Sequence, residues 1–140
     1  MALLKPYYLC FTSGLFLLSL IIYILTNNKN LEKNVLTFPL ILCFIFSQLF
    51  WYNPIQNSLI HKLDSNIAKL FSFIFVVYLL IYKKLNLYVK LIFVLLGILS
   101  IVAFYRSHFF STKEWCCDNH LFNHALLHIS GFFASLYVFL

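Results

Sequence analysis

Three histidines recur at intervals of four along one stretch of the chain, His120, His124 and His128. Residues four apart share one face of a helix, about 6 Å apart along its axis, and two imidazoles so placed can hold one metal ion, as in helical zinc sites. His128 falls about two turns inside an apolar stretch, where a polar side chain must face a protein interior and find a partner. The competing reading is that these imidazoles hydrogen-bond to neighbouring helices or sit at the headgroup level, which suits His120 best. Other residues with chemical reach are Ser47, Asp64 with His61 just before it, and the vicinal Cys116 and Cys117. Each also has a plain structural reading. Asp64 complements a helix dipole as a first-turn carboxylate. Ser47 bonds to its own helix or a neighbour. The cysteines serve as small interfacial residues.

The elements that must position these residues follow from composition. Of 140 residues, 63% are apolar or aromatic and only 10% are charged, against about 45–50% and about 25% in a soluble domain. A soluble domain of this length buries only about two-thirds of the surface its unfolded chain exposes, too little for so much apolar surface. A soluble domain, a disordered chain and a disulfide scaffold are thereby excluded. The formal charge of +6 comes from scattered basic residues with no basic stripe, so no nucleic-acid partner is expected. The four cysteines, Cys10, Cys43, Cys116 and Cys117, are too dispersed for a disulfide framework.

A helix needs about 20 apolar residues to cross the hydrocarbon core. Five stretches meet or approach that length: 8–26, 35–52, 65–82, 85–105 and 120–140. Backbone polar groups in lipid must be satisfied within the segment, so these are helices. The expected architecture is all-α, a polytopic transmembrane bundle of five helices forming one integral membrane domain over 1–140. The first stretch follows Lys5 but is longer than a signal-peptide core and has no small-residue cleavage site after it, so it reads as a retained helix. The connections are 27–34, 53–64, the Lys83-Lys84 turn and 106–119. They are short enough to make antiparallel neighbours of consecutive helices.

Five crossings put the two ends of the chain on opposite sides. Lys5, Lys62, Lys69, Arg106 and Lys113 lie on the N-terminal side, and Lys29, Lys33, Lys83, Lys84 and Lys90 on the other, so the positive-inside rule fixes neither orientation nor membrane. The polar chemistry is one-sided instead. His61, His108, His120, His124 and His128 all fall at the N-terminal side, together with Asp64, Glu114, Asp118 and both vicinal cysteines.

This order of residues resembles the CREST superfamily of membrane hydrolases and receptors, which includes alkaline ceramidases, adiponectin and progestin receptors, haemolysin-III-like proteins and GPI-anchor lipid-remodelling enzymes. Asn123-His124-Ala125-Leu126-Leu127-His128 is similar to the family's H-A-x-W-H run, Leu63-Asp64 to the L-D opening of its third helix, and Ser47-Gln48-Leu49-Phe50-Trp51 to its S-x3-H. The resemblance implies a zinc ion on His124 and His128, with Asp64 beside the bound water and Ser47 supporting the site. It implies metal-assisted hydrolysis of a lipid amide or ester. Trp51 departs from the pattern, standing where the family has its remaining His ligand, and indole cannot replace imidazole. The family also has seven helices rather than five; losing two crossings preserves parity.

The expectation is therefore convergence of Ser47, Asp64, His124 and His128 in the bundle interior, with His61 as the third zinc ligand, or His120 or Asp64 in its place. Membrane lipid is expected as substrate or as solvent, with a homo-oligomer or a membrane-complex partner completing the wall. Two rivals stand beside the hydrolase. One is a non-catalytic membrane subunit or degenerate homologue whose imidazoles only pack. The other is a haem-binding anchor, which needs axial ligands from two helices. If neither His61 nor Asp64 approaches the His124–His128 pair, the metal-free reading is preferred.

Overall fold

The computed structural model describes residues 4–26 and 30–140. Lys29, assigned above to the first connection, lies outside them. Helix α1 is Tyr8–Leu25, α2 is Leu31–Tyr52, α3 is Leu59–Val77 continued by a π-helical turn at Tyr78–Tyr82, α4 is Leu87–Lys113 and α5 is Asp118–Phe139. All five are long and apolar enough to cross a membrane, and no strand occurs among the described residues. The chain is an all-α bundle with the composition of a multi-pass membrane protein.

Three of the helices run well beyond the stretches that hydropathy marks, for local reasons. Asn30 and Asn86 cap α2 and α4, their side-chain oxygens accepting from Lys33 N (2.7 Å) and Val89 N (2.9 Å). Ser58 caps α3 by accepting from His61 N at 3.1 Å, which starts that helix six residues before Ser65 and places His61 inside its first turn. At the end of α4, Ser111 and Thr112 return their hydroxyls to the carbonyls of His108 (2.7 Å) and Phe109 (2.8 Å). Polar residues that read as loop are thereby satisfied on the helix. The expected long connection 106–119 shrinks to 114–117, and His108 becomes an exposed position on α4.

Helix α5 sits at the centre and touches each of the other four helices. It is the least apolar of the five, and α4, packed along α5 at the outside, is the most apolar and the least buried. Consecutive helices α1 and α2, α2 and α3, and α4 and α5 pack as expected. Helices α3 and α4 depart from the expected pairing, since they meet chiefly at the π-helical turn while α5 takes the place beside each.

Close approach to α5 depends on small residues, as it must where lipid gives helices no hydrophobic drive to associate. Ser19 and Ser135 share a 2.8 Å hydrogen bond across α1 and α5. One turn before Ser135, Gly131 lies under the buried rings of Phe16 and Phe71, which meet at 5.4 Å with their planes tilted by 59°. A Cβ there would meet both rings at 3.2 Å. At the far end the lysines have a structural task. Lys33 Nζ, on a side chain only 5% exposed, donates to Phe139 O at 3.0 Å. Lys83 Nζ donates to Tyr137 O and to Val138 O. Two cations thus satisfy the last carbonyls of α5 and oppose its dipole. Burial, and then the neighbouring Lys33 charge, lower the Lys83 pKa.

Gly131→Ala should lower stability in detergent by about 1–3 kcal/mol through overpacking. Gly97→Ala, whose added methyl meets nothing within 4 Å, should be neutral or gain up to about 1 kcal/mol of helix propensity. Paired denaturation curves of the two variants check both values.

Candidate functional site at the histidine-rich end

The N-terminal end of α1, the C-terminal ends of α2 and α4 and the N-terminal ends of α3 and α5 come together at one end of the bundle. Three contacts tie them. Leu4 N–H donates to Asp118 Oδ1 (2.8 Å), Trp115 Nε1 to Pro54 O (3.1 Å), and Gln56 Nε2 to Ser111 O (3.4 Å). The polar residues grouped from the sequence do belong to one end.

Two of the five histidines complete helix starts. Asn57 and Cys116 both have left-handed backbone, φ 62° and 58°, and each immediately precedes the N-cap residue of a helix. Asn57 N–H donates to His61 Nδ1 at 3.0 Å, and Cys116 N–H to His120 Nδ1 at 3.2 Å. Ser58 accepts from His61 N while His61 accepts from the turn, a reciprocal cap in which imidazole does the work usually given to Glu or Gln. An accepting Nδ1 carries no proton, so these bonds place the proton of each neutral ring on Nε2. The Cys116 thiol is pushed up to about 11, by burial first and by adjacent Cys117 second. It therefore stays protonated and is a poor thiolate donor at neutral pH.

The rings form a continuous file. His61 stacks on Phe50 at 4.8 Å and meets Trp115 at 5.2 Å. Trp115 meets His120 at 4.9 Å, and Trp51 stands 5.9 Å from His120 and 4.6 Å from His124. His124 and His128 follow at 5.0 Å, nearly perpendicular. His128 is buried against α1, where its Nδ1 and the Thr12 hydroxyl share a 2.8 Å hydrogen bond. His124 Nδ1 lies 3.5 Å from Ser107 Oγ on α4, the outer limit of such a bond.

Ser47 and Asp64 pair with each other. Ser47 Oγ donates to Asp64 Oδ1 at 2.7 Å, with the residues 1% and 3% exposed. This pair joins α2 to α3, whereas the His124–His128 pair faces α1, Trp51 of α2 and Ser107 of α4. No hydrogen bond links the Ser47–Asp64 pair to His124 or His128 among the described residues. No group of three or more His, Cys, Asp or Glu able to hold a metal ion occurs among the described residues. Trp51, 0% exposed, fills the space beside His124, and its Nε1 is buried without a hydrogen-bond partner among the described residues. His61, expected as third ligand, packs on Phe50 and Trp115 and accepts from Asn57 N–H.

Sequence reasoning missed Trp115, Asn57 and Thr12. The signal for Asn57 was present: a Ser three residues before His61, preceded by Asn, a residue that tolerates left-handed backbone. His120→Phe and His61→Phe keep a ring but remove the acceptor. Each should cost about 1 kcal/mol, as loss of a helix cap does, read by thermal melts in detergent with and without zinc, zinc making no difference. No family model, no curated protein and no solved structure matches this chain.

Proposed function

We propose that the chain is a non-catalytic multi-pass membrane protein whose histidine-rich end is packing and capping, a small membrane subunit rather than a metal hydrolase. One observation carries this reading. Trp51 is fully buried against His124, at the position where the CREST resemblance puts its remaining ligand. Zinc catalysis ordinarily takes three protein ligands and one open position, and the indole offers no lone pair for a metal. His61 and His120 are engaged as caps and His128 by Thr12. The haem reading lacks support for a similar reason: both deep imidazoles stand on α5, and one helix cannot supply two opposed axial ligands. Membrane lipid is then the solvent of the outer face of α4, which a second copy or a larger membrane complex is also suited to cover.

The lipid amide or ester hydrolase remains the second reading. What favours it is the buried Ser47–Asp64 pair at the same end as His124 and His128. Metal analysis separates the two. Protein purified in detergent without chelators should contain well under about one zinc per chain, the ratio that a structural or catalytic site requires. Trp51→His restores a third imidazole beside His124, and this variant should acquire about one zinc. One zinc in the native protein, lost on His124→Ala, would overturn the non-catalytic reading.

A further inference from the structure

Away from the file of rings, α4 and α5 enclose a groove of about 420 Å³. Its lining changes character along its length. At the histidine-rich end it is lined by Arg106, Asn119 and Asn123, and further along by Leu99, Leu126 and Phe133. Those three apolar side chains are exposed, so the groove opens sideways, where the bundle meets lipid. Within the apolar part, Ser100 Oγ has Leu96 O (2.7 Å) and Ser130 Oγ (2.8 Å) as alternative acceptors for its one proton, and Ser130 Oγ reaches Leu127 O (3.0 Å), so both hydroxyls have protein partners and ask nothing of an occupant.

Arg106 is the only arginine of the chain. It stands seven residues before the end of α4, about 10 Å along the helix, at a depth from which a long side chain reaches the headgroup level. It is exposed, and it has no hydrogen bond or ion pair with another described residue. No acidic residue lines the groove. A guanidinium offers a planar fork of donors that fits phosphate, and the two asparagines add neutral donors at the same end. A cationic head above an apolar channel is the complement of a lipid with a negative headgroup.

We propose that this groove binds one phospholipid of net negative charge, its phosphate on Arg106 and one acyl chain lying between α4 and α5. The site is independent of the Trp51 geometry and holds whether or not the protein is an enzyme. The occupant comes from the bilayer rather than from water, because the apolar part of the groove is the larger.

Native mass spectrometry of the full chain released from nanodiscs of equal phosphatidylglycerol and phosphatidylcholine reads the bound lipid directly. Phosphatidylglycerol should be retained about tenfold over phosphatidylcholine, the ratio expected of a charge-assisted bond. Arg106→Gln, a change at an exposed position, should abolish the preference while leaving the melting temperature unchanged. Leu126→Trp, which fills the apolar part, should reduce retention of both lipids. Equal retention in the native protein, or a preference that survives Arg106→Gln, would overturn the proposal. So would protection by inorganic phosphate alone that Leu126→Trp leaves intact, since that outcome marks a free-anion site.

Discussion

Inside hydrocarbon a backbone N–H or C=O with no protein partner costs several kcal/mol. The ends of helices, which cannot satisfy their own terminal groups, are therefore where this bundle is decided. It meets the requirement differently at its two ends. At one, turns with left-handed Asn57 and Cys116 give their N–H groups to His61 and His120. At the other, Lys33 and Lys83 donate hydrogen bonds to the last carbonyls of α5. The separation of residue types along the membrane axis, which invites a catalytic reading, follows from that chemistry. Neutral imidazole accepts from N–H at helix starts, and ammonium donates to carbonyls at a helix end.

The central place of α5 follows from the same constraint. The least apolar helix has the most polar groups to satisfy and is best placed where other helices surround it. Ser130 meets Ser100 of α4, Ser135 meets Ser19 of α1, and His128 meets Thr12 of α1. Each bond joins α5 to a different neighbour or a different depth, so together they set its register and rotation. Gly131 lets the Phe16 and Phe71 rings close over the same helix. Helix α4, with few such groups, is free to lie at the outside against lipid.

Much of this was legible in the sequence, because hydropathy and residue type act over whole spans. Five helices, one polar end and the burial of Ser47 and Asp64 follow from run lengths and from the cost of isolated polar groups. Helix limits were not legible, because one hydrogen bond from Ser58, or the back-bonded hydroxyls of Ser111 and Thr112, moves them by a turn or two. The pairings within the site were not legible either. Spacing puts His120, His124 and His128 on one face, but which neighbour each ring meets depends on helix rotation, and that depends on Gly131 and the serines. Trp51 shows the difference in kind: its identity argued against a ligand, and only packing revealed that it occupies the space beside His124.

The central claim is that His61, His120, His124 and His128 are engaged by the fold. Nitrogen-15 NMR of histidine-labelled protein in nanodiscs tests it most directly. The account predicts that His61 and His120 have an unprotonated Nδ1 accepting from backbone and a protonated Nε2. It also predicts that one equivalent of zinc leaves every imidazole resonance in place. A stoichiometric shift of His124 and His128 together, with His61 or His120 losing its cap, would contradict it.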